Sequence, residues 1–205
     1  MFQIDVKNVT LITVAVLALM MLISGLTFNN TFEEPKVVFL EEPLAKNSRL
    51  QIQNGEEFIY SYMMENNQTI NITYIAIQDT NCMRIYIDES VNNTNICVNE
   101  WGVDETGSNA TFKDPSFLLF KPWMLALDEG WRWNNSMYME LGDIRNHIAD
   151  NSLRVMRVEE YRNRTAYVVE LSTSTGSKEY QWVDAEKRIM LKSLGQGYQV
   201  ELVDN

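Results

Sequence analysis

Two hydrophobic patterns divide the chain. Residues 9–26, VTLITVAVLALMMLISGL, run for eighteen positions without a charge, just enough at 1.5 Å rise per residue to cross a hydrocarbon layer of about 30 Å. Further on, apolar and polar positions alternate with period two, in runs separated by Asn, Gly, Asp and Ser. That alternation is the mark of strands with one face turned to a core.

The first clear run puts Phe58, Tyr60, Tyr62 and Met64 on one face, and the next puts Ile70, Ile72 and Tyr74 on one face. Later, Leu153, Val155 and Arg157 alternate with Arg154, Met156 and Val158. There follow Tyr167, Val169 and Leu171; Tyr180 and Trp182; Ile189 and Leu191; and Tyr198, Val200 and Leu202. Turn residues punctuate these runs at 174–177, 184–187 and 195–197. Helical pattern is sparse. Asp114-Pro115 reads as the start of a helix over 116–128, bent at Pro122, and 142–150 is a second short candidate. The expected fold is β-rich, of the α+β class. It comprises an N-terminal transmembrane helix and one strongly curved antiparallel sheet of about nine to eleven strands, with one or two short helices on its concave face. The sheet is an open half-barrel.

The segments therefore order as a cytoplasmic tail over 1–8, a transmembrane signal-anchor helix over 9–26, a linker over 27–35 and an extracytoplasmic β-rich domain over 36–205. Lys7 and the α-amine before the helix, with Glu33 and Glu34 after it, orient the N-terminus to the cytoplasm. A signal peptide cleaved near Ser24-Gly25 is the competing reading. A lipid anchor at that point is excluded, because Leu26 stands where the lipidated Cys would be. The expected location is the cell membrane, with a single pass.

Charge narrows the partners. A net charge of −11 and a pI near 4.6 leave no basic footprint for nucleic acid. Hydrophobic content of 45% is too high for a disordered acidic chain. Asn-x-Ser/Thr triplets occur at Asn29, Asn67, Asn71, Asn92, Asn109, Asn134 and Asn163, and at Asn8 on the inner side. With 20 Asn and 25 Ser plus Thr in 205 residues, composition alone predicts roughly two such sequons. The excess points to glycosylation of an external domain, most sites falling at expected strand ends. The other account is that Asn, Ser and Thr share turns. Cys82 and Cys97 flank a strand-turn-strand run, and a hairpin would bring them together as a disulfide. Two free thiols are the alternative.

Three stretches carry a family resemblance: Gly55-Glu56-Glu57-Phe58-Ile59-Tyr60; Gly130-Trp131-Arg132-Trp133; and Glu179-Tyr180-Gln181-Trp182-Val183-Asp184 followed by Arg188-Ile189-Met190-Leu191-Lys192. Their order resembles the curved-sheet domains of outer-membrane lipoprotein carriers and related exported domains of unknown function. The resemblance covers about half of the external domain. It implies a concave apolar surface able to hold a lipid or an acyl chain. The chain departs from those carriers in keeping a membrane helix, which argues against shuttling between membranes.

The densest apolar stretch outside residues 9–26 contains Phe117, Phe120, Trp123, Met124, Leu127, Trp131 and Trp133. It is either core or the lid of a ligand pocket; flexible Met and flat Trp suit apolar ligands of variable shape. Catalytic machinery is not visible. There is one His, no Gly-x-Ser-x-Gly elbow and no phosphate-binding glycine loop. Asp143 and His147 would share a helical face only if 142–150 were helical, and one short segment is not a metal site. Adjacent carboxylates such as Glu56-Glu57, Asp128-Glu129 and Glu159-Glu160 point to opposite faces of a strand. The expectation is a non-catalytic, membrane-anchored binding module for an apolar ligand, lipid or lipoprotein-like, with no metal or cofactor. The alternative is a structural or interaction domain of the cell envelope with a filled core.

Overall fold

The computed structural model describes residues 36–41, 43–89, 92–105, 117–141 and 143–204. The expected anchor over 9–26, the linker, and the sequons at Asn8, Asn29 and Asn109 lie outside these residues. No helix among the described residues is long and apolar enough to cross a membrane.

Eleven strands form one antiparallel sheet: β1 (Lys36–Glu41), β2 (Glu57–Met64), β3 (Thr69–Gln78), β4 (Met83–Glu89), β5 (Asn92–Val98), β6 (Arg132–Leu141), β7 (Ile144–Tyr161), β8 (Arg164–Thr173), β9 (Lys178–Asp184), β10 (Met190–Gly195) and β11 (Tyr198–Asp204). Their spatial order is β1-β6-β7-β8-β9-β10-β11-β2-β3-β4-β5. Two meanders, β2 to β5 and β6 to β11, are joined by the β11–β2 ladder, and β1 covers the free edge of β6. β1 and β5 are the sheet's edges, so the sheet does not close on itself.

Extra residues interrupt four ladders: Ile148 in β7 against β6, Met156 in β7 against β8, Leu191 in β10 against β9, and Val203 in β11 against β2. Each bulge bends its strand and increases the local twist. The bend is large. β2 and β6 are six ladder steps apart, roughly 29 Å in a flat sheet at the usual strand spacing, yet residues of both line one cavity of about 940 Å³. The sheet is therefore concave around that space.

Helical expectations fare differently. Among the described residues of the 116–128 segment, 117–128, the helix is a one-turn 3-10 helix, Pro122–Ala126. The described residues of 142–150, 143–150, are not a helix: Ile144 opens β7 and pairs with Leu141. Met156, as the bulge residue, also resets the β7 alternation, so Arg157 does not continue the face of Leu153 and Val155 but stands exposed.

The 117–127 segment is the plug of the concave face. Phe117, Leu119, Phe120, Met124, Leu125 and Leu127 are buried within it. Being neither helix nor strand for most of its length, it needs partners elsewhere for its backbone groups, since an unpaired buried amide or carbonyl is costly. The sheet and the chain preceding β2 supply them. Leu118 N donates to Tyr74 Oη at 3.0 Å, and Met190 N donates to Leu119 O at 2.8 Å. The Asn47 and Ser48 amides donate to Leu125 O at 3.0 and 3.1 Å, and the Arg188 guanidinium donates to Leu127 O at 3.0 Å. Gly102 packs so closely on the plug that a Cβ would sit 3.0 Å from Leu125 and 3.2 Å from Phe120. At one end of the sheet, Cys82 and Cys97 form a disulfide across the β4–β5 hairpin, with Cα atoms 5.6 Å apart.

Candidate functional site

Cross-strand register fixes what faces the cavity. Residues directly opposite each other in an antiparallel ladder project from the same face. One inner row runs Trp133, Leu153, Leu171, Glu179 across β6 to β9. The next runs Val155, Val169, Gln181, Ser193, Val200, Tyr62 across β7 to β11 and on to β2. The plug closes the other side with Phe117, Leu118, Trp123 and Met124. The wall is thus mostly apolar, and a compact polar cluster interrupts it on β9, β10 and β11.

In that cluster the Glu179 carboxylate accepts a hydrogen bond from Ser193 Oγ at 2.6 Å and from Gln181 Nε2 at 2.5 Å. The Tyr198 phenol is held well above the usual tyrosine range, first by burial and then by its hydrogen bond to Glu179. Its ring stacks on Tyr62, centroids 5.6 Å apart and planes within 6°. Gly195 makes this placement possible: a Cβ there would lie 2.3 Å from the Tyr198 ring. Gln181 is 8% exposed, and its Oε1 has no hydrogen-bond partner. The amide cannot flip to relieve it, because flipping would set oxygen against the Glu179 carboxylate. A second polar spot on the lining is Asn151, whose Nδ2 donates to Asn135 Oδ1 at 2.7 Å.

The residues singled out by sequence divide. Phe117, Trp123, Met124 and Trp133 line the cavity. Phe120 and Leu127 are fully buried in the core instead. Trp131 is half-buried and stacks on Trp123, centroids 6.0 Å apart. The polar cluster was not anticipated. Its signal is the alternation Glu179, Gln181, Val183, which runs out of phase with Tyr180 and Trp182; the aromatic pair turns outward, where Trp182 Nε1 donates to Glu159 at 2.6 Å and Tyr180 to Glu170 at 2.9 Å.

Other candidates stand apart from the cavity. Asp143 and His147 do not share a helical face, and His147 instead meets Asp150 at 2.9 Å. Ser136 Oγ donates to the same Asp150 oxygen at 2.6 Å. The order is wrong for a nucleophile, since the hydroxyl is bound to the carboxylate and not to the imidazole. Among the described residues, Asp79 is the one acidic neighbour of Cys82 and Cys97 close enough to share a metal, and both sulfurs are committed to the disulfide. Glu56 pairs with Lys187 while its neighbour Glu57 is exposed. Asn67 and Asn163 lie in turns with positive φ, whereas Asn71 and Asn134 are each the third residue of their strands, β3 and β6; all four are exposed. Asn92 opens β5.

No protein-family model and no curated protein matches the chain. Among solved structures, it is similar to a protein from Bacteroides fragilis described as exported, with a YmcC-like fold. The identity is 11% and the TM-score 0.34, over 76% of this chain and 97% of that one. A likeness of that degree adds nothing to what the geometry says, and it does not confirm the resemblance to the lipoprotein carriers.

Proposed function

We propose that the domain is a non-catalytic binding module, working outside the cytoplasm, that takes an apolar ligand such as a lipid or acyl chain into the concave face of its sheet. The observation that carries this is the cavity of about 940 Å³ between the plug and strands β2 and β6 to β11. Its size falls within the range of ligand sites, and a mainly apolar wall with a few convergent polar groups is their usual composition. The Cys82–Cys97 disulfide supports the extracytoplasmic setting, since such bonds persist in oxidising compartments. The Ser136, Asp150 and His147 arrangement lends turnover no support, since it binds the hydroxyl to the carboxylate and not to the imidazole. Anchoring by residues 9–26 belongs to the same proposal.

The test exploits the tryptophans. All five lie between Trp101 and Trp182, and Trp123 and Trp133 line the cavity. The full chain in lipid nanodiscs is titrated with a brominated alkyl probe, which quenches indoles it touches. Saturable one-to-one quenching is expected, abolished by filling the cavity with Leu153→Phe and Leu171→Phe together. Quenching that is absent, or unchanged in the filled variant, sinks the proposal and leaves a structural envelope domain.

A further inference from the structure

Apolar walls alone would hold any alkyl chain; the polar cluster asks for more. We infer that Glu179, Gln181, Ser193 and Tyr198 form a head-group subsite that selects ligands whose polar end donates hydrogen bonds, an alcohol or an amine, and turns away carboxylates. The inference rests on the cavity reading above and deepens it.

The donors and acceptors of the cluster decide the sign. Ser193 Oγ already spends its proton on Glu179, Tyr198 does the same, and Gln181 Nε2 spends one of its two. What the cluster chiefly offers a ligand is acceptor capacity, in the Glu179 carboxylate that lines the cavity and is held in place by these three donors. A hydroxyl or ammonium reaching that carboxylate gains a charge-assisted hydrogen bond. A ligand carboxylate would set a second negative charge against Glu179. The cations of the lining do not offset this. Lys46 donates to Trp101 O at 2.5 Å, and Lys121 lies over the Phe117 ring, 5.8 Å from its centroid. Selectivity is also built into the scaffold. Gln181 and Ser193 are directly opposite in the β9–β10 ladder, and Gly195 gives Tyr198 the room to lie across β10. The cluster is therefore held by backbone pairing rather than by flexible side chains.

The experiment compares brominated alkyl probes of equal chain length ending in hydroxyl, ammonium or carboxylate, by tryptophan quenching of the full chain in nanodiscs at neutral pH. Hydroxyl and ammonium probes are expected to bind at least about tenfold more tightly than the carboxylate. Glu179→Gln should erase most of that preference while leaving the hydroxyl probe bound. Ser193→Ala is the gentler second variant and should weaken it in the same direction. Equal affinity for all three probes, or a preference for the carboxylate, overturns the head-group subsite and leaves the apolar cavity standing. Failure of every probe to quench overturns both.

Discussion

The seal between plug and sheet hangs on a few backbone groups, and Tyr74→Phe tests one of them with a single atom. The Tyr74 oxygen accepts the Leu118 N–H at 3.0 Å, and the two residues are 0% and 8% exposed. Removing it keeps the ring, whose edge-on contacts with Tyr60 and Phe117, each at 5.6 Å, survive. What changes is a buried amide left without an acceptor, at a cost of about 1–3 kcal/mol. In a domain of this size that lowers the melting temperature by roughly 2–12 °C. Tyr60→Phe should act similarly through its 2.6 Å bond to Met190 O. Because the two rings touch, the double variant should depart from additivity by about 0.5 kcal/mol or more. Equilibrium urea unfolding followed by tryptophan fluorescence reads all three, with the slope on denaturant expected to stay constant. A loss below about 0.5 kcal/mol for Tyr74→Phe would mean that water reaches Leu118. The plug would then not close the cavity wall, and the reasoning about the site would fail with it.

Acid stability should depend on Glu170. Burial acts to raise its pKa, but hydrogen bonds from Tyr180 and Arg154 and the nearby charges of Arg154 and Lys178 outweigh it, so the carboxyl sits below the usual glutamate range. A lowered folded value means its contribution is complete above the unfolded pKa and drains away as pH falls through the folded one. Glu170→Gln should therefore melt lower than the parent at neutral pH, with the gap closing in acid; a pH-independent gap would refute this. Reducing the disulfide, which spans 15 residues, should cost about 3 kcal/mol in urea unfolding, and no change on adding reductant would deny its structural role. Gly195→Ala should displace the Tyr198 ring and lower stability by about 1–3 kcal/mol through overpacking. Its clearer readout is a weakened quenching titration, and unchanged binding would show that Tyr198 does not shape the site.

How much of this was legible depends on which interactions set each feature. Period-two runs such as Phe58-Tyr60 and Val200-Leu202 announce strands locally, and they are strands with those residues buried. The short helical candidate over 142–150 misled because Ile144 and Ile148, four apart, fit a helical spacing as well as a strand with a bulge at Ile148, and pairing with β6 decides for the strand. The plug misled differently. Its sequence is apolar on every side, so periodicity cannot distinguish helix from buried coil, and Pro122 together with acceptors and donors from Tyr74, Met190 and Arg188 favours coil. The polar cluster was hidden for a tertiary reason. Whether Glu179 and Gln181 face in or out depends on pairing β9 with Leu171 and Ser193 in other strands, and a one-residue slip would invert the answer. Reading the large aromatics Tyr180 and Trp182 as inward residues gives the opposite phase.

The β11–β2 ladder makes the order of synthesis matter. Its pairs, such as Met64 with Tyr198, join positions about 130 residues apart, and at the usual 5–20 residues per second a ribosome needs roughly 7–26 s between them. Through that interval the edge of β2 that β11 will occupy is an unpaired ladder flanked by Phe58 and Tyr60, a template for wrong partners. Every other ladder of the β2 to β5 meander can form as soon as its hairpin emerges. The domain is thus exposed to mispairing longest at this seam, the β1–β6 ladder being the other that waits, and a holding chaperone that recognises extended apolar strands would act there to greatest effect.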